Sequence, residues 1–343
     1  MQIHLPLLIA ATVLYAGPAA ADVYTANEAG DGLTVYSSSG PGTSFPLTLP
    51  LVAHNVQYVE RPDTAQPGVL QHLLLMTAVS MHHTVDHSMH DMAAGELFVF
   101  DAEKLTQGPL WHLPVGTHPA HVVASPDGQT AYVTLTGENR VVIIDLSTRQ
   151  ITSTISTGAG PHGLRLSADG QRALVANMNA GSVSWLDLES GQTVGEIQTG
   201  GQPIQSALSP DGQTGYVTLA GNNQLAVLDL AHLSIRSRIA LTYAPAQVFV
   251  TPSYILVAQQ GNANAPGNLV SIFDHASTRL IRDVPVCRGP HGVTASADEQ
   301  KAYVSCVYDN SMATIDLPSA TLERTQPGGE QPNGISWSAI TTP

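Results

Sequence analysis

Short runs rich in Val, Ile, Tyr and Thr alternate along this chain with polar clusters of turn-forming residues, and the alternation has a fixed period. The clearest copy begins at His118, "HPAHVVASPDGQTAYVTLTGENRVVIIDLSTRQITSTISTG", and others follow from Gly160 and Gly201. Asp127, Asp169 and Asp211, in the Pro-Asp-Gly or Ala-Asp-Gly turns, are 42 residues apart, as are Asp145, Asp187 and Asp229 in apolar-Asp-Leu triplets. Two more worn copies start at Ala244 and Gly289. Each copy holds four β-rich runs, and glycine supplies the positive φ that its first tight turn needs. Four strands in about 42 residues is the arithmetic of one propeller blade.

Counting blades closes the ring. An irregular copy ending in "ELFVFDAEKL" (Glu96–Leu105) precedes the five from His118 to about Arg324. The chain ends on a lone first strand, "EQPNGISWSA", while "DVYTANEAGDGLTVYS" near its start lacks one. Joining them completes a seventh blade and leaves no free sheet edge. The predicted fold is therefore all-β: a seven-bladed β-propeller of four-stranded antiparallel blades, with the ring closed by N- and C-terminal strands. At this point "AYVTL" (from Ala131), "GYVTL" (from Gly215), "LVANMNAGSVSWLDL" (from Leu174) and "AYVSCVYDNSMATIDL" (from Ala302) resemble the YVTN repeats of the YncE-like family of exported bacterial β-propellers. The resemblance implies the fold and leaves the chemistry open, because a fold does not dictate function.

A formal charge of −14 argues against nucleic acid and anionic lipid as partners and suits cations or basic proteins. Leu5 to Ala16 is apolar, and "AAA" at Ala19–Ala21 offers a small-residue cleavage site. Residues 1–21 thus read as a signal peptide and 22–343 as a single propeller domain, periplasmic or secreted. No later stretch is long and apolar enough to span a bilayer, so membrane insertion is not expected, and the protein should be a monomer. An exported location permits a disulfide, for which Cys287 and Cys306 are candidates: one lies just before the first strand of the last full blade, the other at the end of its second. Two free thiols are the alternative. No C-x-x-C-H occurs, which excludes covalent haem.

Strand direction predicts where the chemistry gathers. In an antiparallel blade the turn between the second and third strands shares a face of the disc with the link to the next blade. Those links read "THPAH" (Thr117–His121), "GPHG" (Gly160–Gly163), "GPHG" (Gly289–Gly292) and, in the irregular blade, "VAHN" (Val52–Asn55). His54, His118, His121, His162 and His291 are therefore expected around the channel mouth. The irregular blade also carries an insertion between its second and third strands, residues 80–95, with "SMHHTVDHSMHDM" at Ser80–Met92. The same geometry puts it on the same face, so Met81, His82, His83, His87, Met89, His90 and Met92 are candidate ligands folding over the mouth, with Asp86 and Asp91 to orient imidazoles or to ligate.

Imidazole suits several transition metals, and thioether adds a preference for copper(I), so copper is expected ahead of zinc or another divalent metal. The function expected is copper handling or delivery, with an exported redox protein or metallochaperone as partner. Two alternatives stand beside it. One is a copper-dependent oxidoreductase with a His-ligated site at the channel mouth. The other is a YVTN-type protein-interaction scaffold without metal chemistry.

Overall fold

The structure, a computed structural model, describes residues 22–30, 32–37, 42–45, 51–63, 66, 68–80 and 94–338. These form seven four-stranded antiparallel sheets, six of them in chain order from the channel outward. Blade 1 is the composite one: Pro332–Ser338 is its innermost strand, followed by Asp22–Asn27, Leu33–Tyr36 and Thr43–Phe45. Closure rests on a ladder pairing Asp22 with Ser338, Val23 with Trp337 and Tyr24 with Ser336. Blade 2 is the irregular copy, built from Leu51–Pro62, Leu70–Ser80, Ala94–Asp101 and Trp111–Thr117. Blades 3 to 7 open with Pro119–Ala124, Pro161–Leu166, Pro203–Leu208, Val248–Val250 and Pro290–Ala295. Among the described residues no helix is long and apolar enough to cross a membrane.

The hydrophobic core lies between blades. Seven apolar clusters are present, each spanning two neighbours around the ring. Between blades 2 and 3, for example, Leu73, Leu75, Leu97 and Val99 pack on Val122, Val133, Val142 and Ile144. Second and third strands are covered on both faces and so read as continuous apolar runs. The outermost strands alternate or are polar, as in Gln150–Ser156, where only Ile155 is buried. The cluster at the seam holds Val23, Tyr36, Tyr303, Met312 and Ile335.

The repeated aspartates anchor the turns. Ser125, Ser167, Ser209 and Ser296 each donate a hydroxyl to the aspartate two residues on, which accepts a backbone N–H in turn. The interblade links take a different shape. The residue before the link proline is left-handed in five blades: Gly160 and Gly289 at φ 68° and 67°, and His118, Gln202 and Gln331 at 51°, 54° and 49°. Glycine holds that conformation without a side-chain penalty, and the recurring Gly-Pro-His-Gly has this backbone cause.

Cys287 and Cys306 are bonded, with Cα atoms 5.9 Å apart, tying the link into blade 7 to the end of that blade's second strand. The bridge closes a loop with a sequence separation of 19. Constraining a loop of that length in the unfolded chain is worth about 3 kcal/mol. A Cys287→Ala, Cys306→Ala variant is expected to keep its β-sheet circular dichroism and to lose roughly that amount in a urea titration.

Candidate metal centre

Innermost strands do not pair evenly with their neighbours. The ladder jumps from Pro119 to Val122, from Pro161 to Leu164, from Pro203 to Ser206, from Pro290 to Val293 and from Ala53 to Asn55. Each jump is a bulge that leaves the residues just after the link outside the regular pairing. Bulges of this kind re-aim side chains. His54, His162 and His291 occupy equivalent positions in the bulges of blades 2, 4 and 7, and His121 sits one residue further along in blade 3. They therefore belong to the first turn of pleat inside the channel, a little deeper than the links in which the motifs place them.

Three of these imidazoles meet. A ring nitrogen of each of His54, His121 and His162 lies within 4.8 Å of the others. The ring centroids are 5.9 Å (His54–His121), 5.3 Å (His54–His162) and 4.9 Å (His121–His162) apart. Two rings are oriented by acceptors behind them. His54 Nδ1 donates to Glu28 Oε1 at 2.8 Å, and His162 Nδ1 donates to the Ile204 carbonyl at 3.1 Å. A carbonyl or carboxylate accepts, so Nδ1 carries a proton in both rings, and in a neutral ring Nε2 then keeps its lone pair. Among the described residues, His54 Nε2 is buried without a hydrogen-bond partner, and so is Nδ1 of His121. Buried ring nitrogens left open beside one another, with carboxylate or carbonyl behind, are the pattern metal-ligating histidines show.

One hydroxyl sets two of the three in place. Thr134 Oγ1 accepts the His121 backbone N–H at 3.0 Å and donates to the His162 carbonyl at 2.7 Å. It thereby spans blades 3 and 4. Thr77, Thr218 and Ser305 donate in the same way to Ala120, Ala246 and Asn333 of the following blade.

Charge chemistry favours neutral rings. His121 is 1% exposed. Burial first, then the neighbouring His162, His54, Arg165 and His291, hold its pKa well below the usual histidine range. Burial, then His54, His291 and His118, push His162 down to about 3, against a small opposing pull from the Ile204 carbonyl. Near pH 7 both are uncharged, the state in which imidazole binds a metal. Metal–nitrogen bonds of about 2.0 Å put tetrahedral ligands about 3.3 Å apart, so the trio must draw in by an ångström or so to close on an ion.

The remaining candidates fall as follows. His291 is nearly buried, and its Nδ1 donates to Gln260 Oε1 at 3.1 Å, outside the trio. His118 is the left-handed residue before Pro119, and its carbonyl accepts the Thr136 N–H. Met81, His82, His83, His87, Met89, His90 and Met92, with Asp86 and Asp91, lie outside the described residues. The strand ends on either side of that stretch open onto the histidine face. Ala94 pairs with Thr117, and a Cβ added to Gly95 would stand 2.3 Å from Pro119 Cδ. Glu28 and Thr134 were not singled out by the motifs. Glu28 could have been found from its place: it follows the second strand of blade 1, so the strand-direction argument puts it on the same face, one blade from His54.

The sequence profile of the YNCE-like beta-propeller family matches residues 69–254. No curated protein matches the chain. Among solved structures it is similar to hydrazine synthase of Kuenenia stuttgartiensis, with 20% identity and a TM-score of 0.66 over 84% of this chain and 90% of that one. It is similar also to a functionally unknown protein of Desulfotomaculum acetoxidans, with 14% identity and a TM-score of 0.69 over 93% of this chain and 99% of that one. At these identities the likeness is one of fold.

Two outcomes follow from this geometry. Thr134→Val keeps the volume but leaves a buried N–H and a buried carbonyl unpaired, and is expected to cost about 1–3 kcal/mol in denaturant unfolding. The second concerns acid. An unfolded histidine titrates near 6.5, so below that pH the unfolded chain binds protons that His162 and His121 refuse in the fold. Stability of chelator-treated protein should therefore fall as pH drops from about 6.5 to 5, above the main carboxylate range, by up to about 1.4 kcal/mol per pH unit per histidine. His162→Gln should flatten that slope; an unchanged slope would contradict the assignment.

Proposed function

The chain belongs to the YNCE-like beta-propeller family, and from that premise we propose that it is an exported metal-binding propeller that holds copper at its channel mouth for handling or delivery. The observation that carries the reading is the convergence of His54, His121 and His162 with open ring nitrogens inside the channel. The donor set fits a late first-row metal: three imidazoles, two of them oriented from behind. Copper is favoured over zinc by the composition of residues 81–92, where Met81, Met89 and Met92 bring thioethers beside four more histidines. Export follows from the apolar leader at residues 1–21, and the formal charge of −14 would help draw a cation or a basic partner.

Three protein ligands leave one coordination position. Thioether closure of that position from residues 81–92 would make a carrier that releases its ion by exchange with a partner. An exposed position would suit the second reading, a copper-dependent oxidoreductase fed by an external electron carrier.

The test is metal stoichiometry and Cu(I) competition against a chelator, on the wild type, His121→Ala, His162→Ala and a deletion of residues 81–92. Wild type is expected to retain one copper per chain. Either histidine variant should bind at least tenfold more weakly, and the deletion should lose preference for Cu(I) over Zn(II). Equal copper retention by His121→Ala, His162→Ala and wild type would overturn the reading.

A further inference from the structure

Beyond the histidines the innermost strands line a cavity of about 300 Å³. Its upper wall includes Asn55 and Val122, which follow His54 and stand beside His121, and its lower wall reaches Pro126, Ser167 and Ala168 by the Asp-Gly turns. Arg165, on the innermost strand of blade 4, lines it.

Its position is unusual for an arginine. It is half-buried, and the surrounding protein pushes its pKa down to about 10 with no carboxylate to raise it again. Among the described residues it has no ion pair, and its one hydrogen bond is a long one, 3.4 Å from Nη1 to the Leu164 carbonyl. A guanidinium has five N–H donors in a fixed fork and stays protonated. A half-buried guanidinium with no counter-charge beside it attracts an anion, and proteins commonly pair such a group with a carboxylate or a bound anion. No aspartate or glutamate lines this cavity; Gln57, Thr294 and Ser336 do. Hydroxyl and amide groups around a bidentate cation form the wall that an oxygen-bearing anion requires.

We propose that Arg165 and the cavity it lines form a binding site for one small oxyanion or carboxylate, held by the guanidinium fork within the channel beyond the histidines. The volume sets the class. About 300 Å³ accepts acetate, nitrate, sulfate or a short dicarboxylate, and is at the low end for larger ligands. The site does not depend on the metal reading, since its partners are distinct from the three imidazoles. It bears on that centre through charge, because Arg165 is among the groups that disfavour a proton on His121.

The experiment is isothermal titration of chelator-treated full-length protein with sulfate, nitrate and acetate at constant ionic strength, so that failure or success is independent of copper. Wild type should take up one equivalent of at least one of these anions with a saturable isotherm. Arg165→Met should weaken that binding at least tenfold. Arg165→Lys keeps a charge without the fork, serves as the folded control should the methionine variant misfold, and should weaken the preference for planar anions. Sulfate also stabilises folded proteins by exclusion from their surfaces. A rise in melting temperature shared equally by wild type and Arg165→Met would therefore count against the site. Absence of saturable uptake of all three anions, or equal affinity in both variants and wild type, would overturn the proposal.

Discussion

A single hydroxyl, repeated around the axis, holds the centre of this molecule in shape. In blades 2, 3, 5 and 7 a Thr or Ser near the end of the second strand donates to a carbonyl of the next blade's innermost strand, at 2.5 to 2.8 Å. In three of them it also accepts an N–H from the bulge of its own innermost strand. Innermost strands have one free edge, and a free edge inside a protein must find partners for its N–H and C=O groups. The hydroxyl supplies both at once. Where it is lost, as at Ala176 of blade 4, Ser206 of blade 5 donates back to the Leu174 carbonyl at 2.7 Å. The threonine of the repeated "YVT" motif is thus a bond between blades, and the bulge it pins determines which side chains look into the channel.

That constraint frees the axis for chemistry. Because the apolar clusters lie between blades, the channel can be polar without opening the core. His121 and His162, kept neutral by burial and by neighbouring imidazoles, are in the state that binds a metal. The cost of holding buried ring nitrogens open is borne by a rigid ring whose strands are tied on both sides. Site and scaffold are separable for this reason: the blades fix backbone positions, and a few residues at the bulges set what those positions bind.

Much of this was legible in residue order. The 42-residue period, the Asp-Gly turns and the split blade gave the ring and its closure, since turn chemistry and strand length are local properties. The interblade links named His54, His121 and His162. They did not say which histidines touch, because that depends on blade order around the axis: these three lie on consecutive blades, while His291 is on blade 7 and donates to Gln260. His118 carries the same motif but serves as the left-handed residue before proline, a role a glycine fills in two other blades. Glu28 and Arg165 escaped notice because each looks ordinary in its own stretch; one is a turn residue, the other a strand residue. Only the neighbouring blade gives either a role. Residues 81–92, the most unusual stretch by composition, lie outside the described residues.

The account's central claim is that blade links and bulges gather three imidazoles into one metal-binding point. The most direct measurement is anomalous X-ray diffraction from copper-loaded crystals, recorded on either side of the copper absorption edge. The account requires one strong peak between the Nε2 atom of His54 and the rings of His121 and His162. A peak elsewhere on the chain with none among these rings, or no ordered copper at all, would contradict it.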